Sequence, residues 1–422
     1  MIPITAARVA ELTSARLIGD GAMLVGPGVS IDSREVSPGA LFAAITGSNN
    51  DGHEYVSQAV AAGAAAVLVE REVFSELGEL VPVPQLLVPD VVNALTALAR
   101  AVVAAAKGNG LKVLALTGSS GKTTTKDMLA QVLEPLGATV SPPNSLNNAT
   151  GMPLTALRVG ADTEFLVSEM GASHVGEIAN YVTVAPPDAA AVLNVGLAHL
   201  GEFGSRERIA QAKAELVNDL APTSWAVLNF DDPLVAGMAA NTPARIAGFS
   251  VLNTDTDLSG LELWVRIKDL DSDAYGRPNF TLYGKTPTES FEFPVQLRFL
   301  GAHLVADAAA AAALALAVGV SAADVATGLN AALPRSRWRM EPHLLRTGTL
   351  LLNDAYNANP LSVRAALAVI KDMKAKRLQT GAPVRVTAVL GDMLELGAES
   401  AALHQSVGRQ AAAAGVDTLL AV

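Results

Sequence analysis

The sequence predicts an α/β protein of three domains, in which a central, mostly parallel sheet of the P-loop type is flanked by a smaller α/β domain on each side. Segments typical of strands and helices alternate along the chain, and a glycine-rich turn follows an apolar run within residues 112–126. Turn-forming residues interrupt the alternation at 107–110 and near 333–334. These breaks place the predicted domains at 1–107, 108–333 and 334–422.

Composition excludes several classes of protein. The chain has 422 residues, of which 50% are hydrophobic, and this is enough for two or three substantial cores. It contains no cysteine, so disulfides and thiolate chemistry are excluded, and its net charge of −11 disfavours a nucleic-acid-binding surface. No signal sequence is recognisable, and the longest apolar stretch, 308–320, is too short to span a bilayer. We therefore expect a cytoplasmic protein without a membrane segment.

Residues 112–126, KVLALTGSSGKTTTK, form the most informative segment of the chain. The apolar residues 113–116 suit a buried strand, and 126–133 continue as a helix. Between such elements, backbone N–H groups and a lysine bind phosphates, and a hydroxyl contacts Mg²⁺. The residues predicted to do so are Gly118, Ser119, Ser120, Gly121, Lys122, Thr123 and Thr124. Because Leu116 replaces a glycine of the general pattern, this is a compact variant, and a glycine-rich turn with an incidental lysine is the alternative.

Polar residues follow three further predicted strands of the central domain. They are Glu169 after 165–167, Asn194 after 190–193 and Asn229 after 225–228. Ligands of parallel sheets bind outside the carboxyl ends of the strands. Glu169 is therefore predicted to meet a hard cation beside Thr123, and a solvated acid at a strand end is the alternative. His199 lies in a loop at the same edge, where a histidine by itself is more often structural.

Lys213 lies on the apolar face of a predicted helix whose expected N-cap is Ser205. The same face carries Ile209, Leu216, Val217 and Leu220. A bare ammonium group there is costly unless it snorkels to water, finds an anion or loses its charge. The more specific hypothesis is that the neutral amine reacts with carbon dioxide to give an anionic carbamate, which can bind a second Mg²⁺.

The outer domains show strands and helices but no second phosphate loop. In the first domain, strand-like runs lie at 39–44 and 67–69. In the last domain, the predicted elements are strands at 350–353 and 384–390, a helix near 401–413 and a strand at 417–422. That strand is the last predicted element.

Eight segments spread over all three predicted domains resemble the Mur ligase family. They are TGSSGKTTTK at 117–126, NSLNNATGMPLTAL at 144–157, EMGASHVGEI at 169–178, NVGLAHLGEFGS at 194–205, AKAEL at 212–216, SRWRME at 336–341, NDAYNANP at 353–360 and LGDMLELG at 390–397. Together they are highly specific for the family. NDAYNANP and GDMLELG resemble the branch of the family that adds D-alanyl-D-alanine.

The resemblance implies an N-terminal UDP-sugar substrate-binding domain, a central ATP-binding domain and a shortened, Rossmann-like C-terminal ligase domain. It implies ATP-dependent ligation of D-alanyl-D-alanine to UDP-N-acetylmuramoyl-tripeptide through an acyl phosphate, which forms the pentapeptide precursor of peptidoglycan. The implied cofactors are ATP and two Mg²⁺ ions, with Lys213 carbamylated. We expect a monomer that binds no nucleic acid.

The resemblance also assigns residues to the site. The implied catalytic residues are Lys122, Glu169, His199 and Lys213, and the implied metal ligands are Thr123, Glu169, His199 and Lys213. Besides 118–124, ATP is expected at Asn229, His303, Asp307, Arg339 and Asp354. The UDP-sugar-peptide or the dipeptide is expected at Asp32, Ser33, Arg34, Gly52, His53, Asn147, Asn148, Thr150, Tyr356, Asn357 and Asn359. Ordinary turns or helix starts are the alternatives for the Asp-Ser, Asn-Asn and Asn-Pro pairs among them.

One residue departs from the family pattern, and other function classes stay open. Asp307 stands where the family usually has an asparagine facing the adenine, and an acid cannot offer the donor and acceptor pair of an amide. Folylpolyglutamate synthase has a similar phosphate loop, although NDAYNANP argues against it. A P-loop kinase or GTPase would need a base-specific motif that this sequence lacks. The non-enzymatic alternative is a module that binds ATP or a UDP-sugar without turnover.

Overall fold

The computed structural model describes residues 1–47, 50–75, 77–196, 203–252, 255–379, 381 and 383–422. Within them strands and helices alternate, as the sequence predicts. The chain divides into two compact units. Unit 1 comprises Met1–Val113, Gly137–Ser168 and Asn180–Pro186, and unit 2 comprises Leu114–Leu136, Glu169–Ala179 and Pro187–Val422. The domain boundaries predicted after residues 107 and 333 stay predictions.

Unit 1 is built on a five-stranded sheet. In spatial order its strands are Arg16–Ile18, Gln85–Leu87, Ala66–Val69, Leu41–Ala43 and Val29–Ser30, and only the first pairing is antiparallel. Smaller pairings join Ile4–Thr5 to Leu24–Val25 and Thr139–Val140 to Phe165–Glu169. The helices are Ala6–Thr13, Val56–Ala61, Val91–Gly108 and Gly151–Ala156, with 3-10 turns at Ser33–Glu35 and Gly52–Tyr55. Phe42, Val56 and Val67 belong to its core, so the strands predicted within 39–44 and 67–69 are confirmed.

One described helix, Val91–Gly108, is long and apolar enough to cross a bilayer. The core helices of globular proteins meet the same criteria, so this is a weak indication of a membrane span. In unit 1 the helix begins at the N-cap Asp90 and contacts helices Ala6–Thr13 and Gly151–Ala156. Its inner face is therefore occupied by protein.

Unit 2 contains the larger, mostly parallel part of the structure. Its sheet runs in the spatial order Ser290–Gln296, Pro278–Lys285, Leu263–Ser272, Arg245–Ser250, Trp225–Asn229, Ala189–Val192 and Lys112–Thr117. The four pairings from Leu263–Ser272 to Lys112–Thr117 are parallel, and the two at the other edge are antiparallel. Strands Lys112–Thr117, Ala189–Val192 and Trp225–Asn229 agree with the predicted ones, whereas the parallel strand Arg245–Ser250 has no counterpart among the predictions. The antiparallel edge strands also have no counterpart in the sequence predictions. In Leu263–Ser272, buried Leu263 and Val265 alternate with the less buried Trp264 and Arg266, which is the two-residue period of a strand.

The remaining elements of unit 2 are helices and two short strand pairs. The helices are Lys122–Leu133, Arg206–Asn218, Pro233–Ala236, Leu304–Ala317, Ala322–Ala331, Pro360–Gln379 and Ser400–Ala413, with 3-10 turns at Gly237–Ala240 and Gly397–Glu399; helix Glu177–Val184 is divided between the units. Glu341–Leu344 pairs with Leu350–Asn353, and Thr387–Leu390 pairs with Thr418–Ala421. The strand predicted at 350–353 is thus confirmed with the same bounds, and the elements predicted at 384–390, 401–413 and 417–422 are confirmed with ends that differ by at most three residues.

Helix Lys122–Leu133, called here the phosphate-loop helix, packs against helices Leu304–Ala317 and Ala322–Ala331. Helix Leu304–Ala317 is rich in small residues, and Ala308 to Ala313 are fully buried. At Gly328 the approach is closest, because a Cβ atom there would lie 2.7 Å from the Cα of Val132. No side chain fits at this contact without moving one of the two helices.

We therefore predict that Gly328→Ala lowers the free energy of unfolding by about 1–3 kcal/mol, the usual cost of overpacking. Gly108→Ala is the matched control, because Gly108 is also helical and a Cβ atom there meets nothing within 4 Å. The control should be neutral or stabilising by up to about 1 kcal/mol. Urea unfolding followed by circular dichroism measures both variants, and equal stabilities would contradict the packing argument.

Candidate active site

The predicted phosphate loop lies between a buried strand and the N-terminus of the phosphate-loop helix. Residues 113–117 of the strand are buried, and the helix begins directly at Lys122. Gly121, the N-cap, has a φ of 83°, and a Cβ atom there would lie 2.3 Å from Asp307 Oδ1. Backbone conformation and space both require glycine at this position. The helix N-terminus therefore presents backbone N–H groups beside the loop, as phosphate binding needs.

Asn194 holds the loop from the end of the neighbouring strand. Its Oδ1 atom accepts hydrogen bonds from the backbone N–H groups of Ser119 and Ser120, both at 3.0 Å. Its Nδ2 atom donates to the carbonyl of Ser120 at 3.1 Å, and the N–H of Gly196 donates to Ser119 Oγ at 2.8 Å. The sequence predicts Asn194 as a polar strand end but gives it no role in the site. Its position after a buried strand is the signal that points to one.

Lys122 bends back over the loop, where its Nζ atom donates a hydrogen bond to the carbonyl of Gly118 at 2.7 Å. Desolvation lowers the pKa of Lys122, Glu169 opposes this shift, and the charge of Arg339 adds to it. The lysine therefore lies in the electrostatic field of both groups. These are the surroundings in which a fixed positive charge interacts strongly with a phosphate.

Thr123 and Glu169 meet as the sequence predicts. The hydroxyl of Thr123 donates a hydrogen bond to Glu169 Oε1 at 3.3 Å, and both side chains are buried. A hydroxyl and a carboxylate beside a phosphate loop are the hard oxygen donors that Mg²⁺ prefers, so the residues fit that ion. Among the described residues, which do not include His199, no group of three or more His, Cys, Asp or Glu side chains is arranged to hold a metal.

Lys213 is buried, as its position on the apolar face predicts. Helix Arg206–Asn218 begins at the predicted N-cap Ser205, whose hydroxyl accepts from the N–H of Arg208, and Lys213 is only 5% exposed. Burial, together with the charge of Lys122, lowers the pKa of Lys213 to about 7. Snorkelling is therefore not how this lysine is accommodated. A large fraction of its amine is neutral at physiological pH.

Asp307 lies against the loop, and its protonation state differs from that of the ionised acid expected from the sequence. Burial raises the pKa of Asp307 to about 8, although the nearby charge of Arg339 opposes the shift. At neutral pH this carboxyl group is therefore mostly protonated, and it offers an O–H donor together with a carbonyl acceptor. It can imitate an asparagine amide better than an ionised acid would. His303, at the N-cap of the same helix, is also neutral, because burial lowers its pKa to about 4.

Arg339 lies in a strained turn. Trp338 and Met340 on either side have φ values of 61° and 47°, which for residues other than glycine cost on the order of 1–3 kcal/mol each. The carboxylates of Glu341 and Asp354 accept hydrogen bonds at 3.0 Å from the N–H groups of Trp338 and Met340, respectively. These bonds hold the backbone so that the arginine is within electrostatic reach of Lys122 and Asp307.

The predicted dipeptide residues lie beside this turn. The guanidinium carbon of Arg339 is 4.1 Å from the centroid of the Tyr356 ring, which is 43% exposed. Asn359 Oδ1 accepts hydrogen bonds from the N–H groups of Leu361 and Ser362, so it caps helix Pro360–Gln379. The alternative that Asn-Pro begins the following helix is therefore realised. Asn357 Oδ1 accepts from the neighbouring N–H of Ala358, and a ligand-binding role for either asparagine stays a prediction.

Predicted site residues in unit 1 also make internal contacts. Asp32 caps a 3-10 turn and pairs with Arg34 at 2.6 Å. The Ser33 hydroxyl donates to the side chain of Gln58 at 2.9 Å. This is the ordinary turn that the sequence left as the alternative, and a uridine-diphosphate role for these residues stays a prediction.

His53 is buried, with both ring nitrogens in use. Its Nδ1 atom lies 2.6 Å from Asp51 Oδ1, and its Nε2 atom accepts from the N–H of Glu70 at 2.9 Å. The preceding Gly52 has no room for a side chain, since a Cβ atom would lie 2.7 Å from the backbone nitrogen of Ile45. These contacts show that both residues stabilise the conformation of the loop. Their contact with substrate stays a prediction.

The last predicted polar residues lie at the start of a short helix and at the end of a strand. Asn148 Oδ1 accepts from the N–H of Gly151 at 2.8 Å, where a short helix begins after Thr150, and Asn147 precedes them. Asn229 is buried, and its Nδ2 atom donates to the carbonyl of Leu193 at 2.8 Å. The side chains of Asn148 and Asn229 are thus bonded to the protein's own backbone, and ligand contacts of all four residues stay predictions.

Comparison with known proteins identifies the family. Residues 27–114 match the Mur ligase family, catalytic domain, residues 116–315 match the Mur ligase middle domain, and residues 338–422 match the Mur ligase, glutamate ligase domain. A UDP-N-acetylmuramoyl-tripeptide–D-alanyl-D-alanine ligase of Mycobacterium tuberculosis is 42% identical over 100% of this chain and 83% of its own length. The Escherichia coli ligase of the same name is 37% identical over 100% and 86%, respectively.

Solved structures agree with this result. A crystal structure of MurF from Acinetobacter baumannii, 33% identical, matches 99% of this chain and 85% of its own with a TM-score of 0.83. The MurF ligase of Thermotoga maritima in complex with ADP, 28% identical, matches 93% of this chain and 87% of its own with a TM-score of 0.70. These likenesses confirm the predicted mixed α/β fold with its mostly parallel sheet. The chain belongs to the Mur ligase family.

Proposed function

We propose that this chain is the ATP-dependent ligase that joins D-alanyl-D-alanine to UDP-N-acetylmuramoyl-tripeptide, and that it acts in the cytoplasm as a monomer. The observation that carries the proposal is a phosphate loop in which Thr123 contacts Glu169 next to Lys122, in a chain 42% identical over its whole length to a ligase of that name. The alternative of a folylpolyglutamate synthase has weaker support. The Lactobacillus casei enzyme named FPGS is 16% identical with a TM-score of 0.52, a likeness that concerns the fold alone.

The reaction has two steps. The terminal carboxylate of the tripeptide attacks the γ-phosphorus of ATP, so a bond to the carboxylate oxygen forms, the bond to the ADP oxygen breaks, and an acyl phosphate results. The amine of D-alanyl-D-alanine then attacks the acyl carbon, loses a proton and displaces inorganic phosphate. In the first step two anions must approach each other, so most of the catalytic task is charge neutralisation and alignment.

The residues beside the loop suit this task. Lys122 places a positive charge at the loop carbonyl of Gly118, and Arg339 approaches from the strained turn. Thr123 and Glu169 would hold Mg²⁺, which supplies further positive charge against phosphate oxygens when it is bound. Asp307, protonated beside Gly121, would accommodate the nucleotide without adding a negative charge.

Lys213 is proposed to carry a carbamate. Its neutral amine would attack the carbon of carbon dioxide and lose a proton, which leaves an anionic oxygen pair in place of a buried cation. Such a group, together with His199, would hold a second Mg²⁺, although His199 lies outside the described residues. Burial of the amine supports the proposal because it favours the neutral, nucleophilic form, and the nearby charge of Lys122 supports it because a positive charge favours an anionic product.

A phosphate-release assay tests the function. The chain is incubated with ATP, Mg²⁺ and UDP-N-acetylmuramoyl-tripeptide, with and without D-alanyl-D-alanine, and the peptide product is followed by mass spectrometry. We expect phosphate release that depends on the dipeptide and yields the pentapeptide. Nucleotide binding without release would instead support a binding module.

Lys122→Ala should abolish ligation while the protein stays folded. Loss of a preorganised charge at the transferring phosphate costs about 3 kcal/mol or more, which is a loss of more than about 100-fold in kcat. The matched control is Lys112→Ala, because Lys112 is an exposed lysine at the start of the strand that precedes the phosphate loop. It should keep the activity of the unsubstituted chain. Turnover of Lys122→Ala at that rate would contradict the assignment of the loop.

Lys213→Ala should lose ligase activity and regain part of it when short-chain carboxylates such as acetate or propionate are added. The added carboxylate would occupy the space of the truncated side chain and supply the missing anionic oxygens. Chloride at equal ionic strength is the control, and it should restore nothing. A fully active alanine variant would remove the carbamate from the proposal.

Asp307→Asn should stabilise the protein in a pH-dependent way. The pKa of this carboxyl group is raised from 3.8 to about 8 by folding, so its contribution to stability is fully present below pH 4 and is lost as the pH rises to about 8. An asparagine has no such dependence. The difference in free energy of unfolding between variant and unsubstituted chain should therefore grow from pH 4.5 to pH 8, and a difference that stays constant would contradict the raised pKa.

A further inference from the structure

One face of the phosphate-loop helix holds the segment of chain that leads to Arg339. The face consists of Asp127, Gln131 and Glu134, which are spaced four and three residues apart and therefore point the same way. The segment, residues 333–336 and called here the linker segment, follows helix Ala322–Ala331. Each of the three side chains binds it. None of the assigned site residues belongs to this contact.

Gln131 makes the most specific of these contacts. Its Nε2 atom donates to the carbonyl of Leu333 at 2.8 Å, and its Oε1 atom accepts from the N–H of the same residue at 3.0 Å. The amide therefore pairs with one residue of the linker segment as a neighbouring strand would. This two-point contact fixes the position of the backbone and its direction.

Asp127 makes the buried contact of the face. Its Oδ2 atom accepts from the N–H of Ser336 at 3.1 Å, and its Oδ1 atom lies 2.6 Å from Lys126 Nζ. Asp127 is 5% exposed and Ser336 is 8% exposed, so this hydrogen bond is shielded from water. By contrast, the ion pair of Glu134 with Arg335 lies at the exposed rim, where such pairs contribute little.

The linker segment ends three residues before Arg339. The turn that follows is strained at Trp338 and Met340, and it is held from its other side by Glu341 and Asp354. A strained turn adopts one position only when its surroundings determine it from both ends. The phosphate-loop helix supplies one of these ends, and the same helix carries Lys122 at its N-terminus.

We propose that Gln131 and Asp127 are positioning residues, which place Arg339 relative to Lys122 by holding the linker segment on the phosphate-loop helix. The inference rests on the proposed function, because it assumes that Arg339 acts on ATP. A movement of about 1 Å in a charged group can cost up to about 100-fold in rate. The amide of Gln131 therefore influences phosphoryl transfer without contact with the nucleotide.

A double-mutant cycle between Gln131→Ala and Arg339→Ala tests the proposal. The cycle is measured by the kcat of dipeptide-dependent phosphate release and, separately, by the affinity for ATP in calorimetry. We expect Gln131→Ala alone to lower kcat about tenfold or more, and to weaken ATP binding in the same direction as Arg339→Ala. In the Arg339→Ala background, Gln131→Ala should cost less than about twofold further, because the residue it positions is gone.

Asn330→Ala is the matched control. The side chain of Asn330 likewise bonds another segment at two points, accepting from the N–H of Gln296 at 2.8 Å and donating to the carbonyl of Pro294 at 3.2 Å. That segment is an edge strand and does not lead to Arg339. The control should share any loss of thermal stability with Gln131→Ala but keep kcat and ATP affinity.

The outcomes separate the two proposals. If the fold-losses of Gln131→Ala and Arg339→Ala simply multiply in the double variant, the positioning role is overturned. A loss of kcat in Asn330→Ala equal to that in Gln131→Ala would also overturn it. A well-folded Gln131→Ala variant with unchanged kcat and ATP affinity would overturn it as well. If the unsubstituted chain shows no dipeptide-dependent turnover, the proposed function fails, and the cycle on ATP affinity still decides whether Gln131 acts through Arg339.

Discussion

The arrangement of the site depends on how closely the phosphate-loop helix approaches the two helices packed against it. Buried alanines on helix Leu304–Ala317 and the glycine at 328 allow an approach that larger side chains would prevent. The same closeness brings Asp307 against Gly121 and the linker segment against Asp127 and Gln131. Nucleotide loop, buried acid and strained turn are thus held together by one packing contact.

Exclusion of water is the second physical constraint on the site. Burial favours the neutral form of any ionisable group, so it acts in opposite directions on acids and bases. It lowers the pKa of Lys213 to about 7 and raises that of Asp307 to about 8, which leaves both groups largely neutral near physiological pH. Lys122 experiences the same desolvation but faces Glu169, which favours its charged form. The proposed reaction needs a positive charge at the phosphates, which Lys122 supplies, and neutral side chains at Lys213 and Asp307.

Much of the fold could be predicted from the sequence because its signals are local. A buried strand, a glycine turn and a helix start within fifteen residues predict the phosphate loop, and polar strand ends predict the edge where Thr123 and Glu169 meet. The strands within residues 245–296 escaped prediction, although the burial at the start of Leu263–Ser272 alternates with the two-residue period of a strand. Contacts distant in sequence also escaped, and the hold of Gln131 on Leu333 spans 202 residues.

Polar residues in turns mark the limit of sequence reasoning. Asn359 and His53 are predicted to meet substrate, and each is found bonded to the backbone of its own unit. Asn194, which had no predicted role, bonds the phosphate loop itself. An amide or imidazole has the same donors and acceptors in either setting, so only the neighbouring atoms decide which use it has.

The sequence by itself determined the family, the alternation of elements and the identity of the loop, because each depends on residues that are adjacent in the chain. Only the tertiary structure decided the protonation of Asp307 and Lys213, the strain on either side of Arg339 and the partners of the polar turns. These properties arise from desolvation and from contacts between distant segments. Both exist only once the helices have packed.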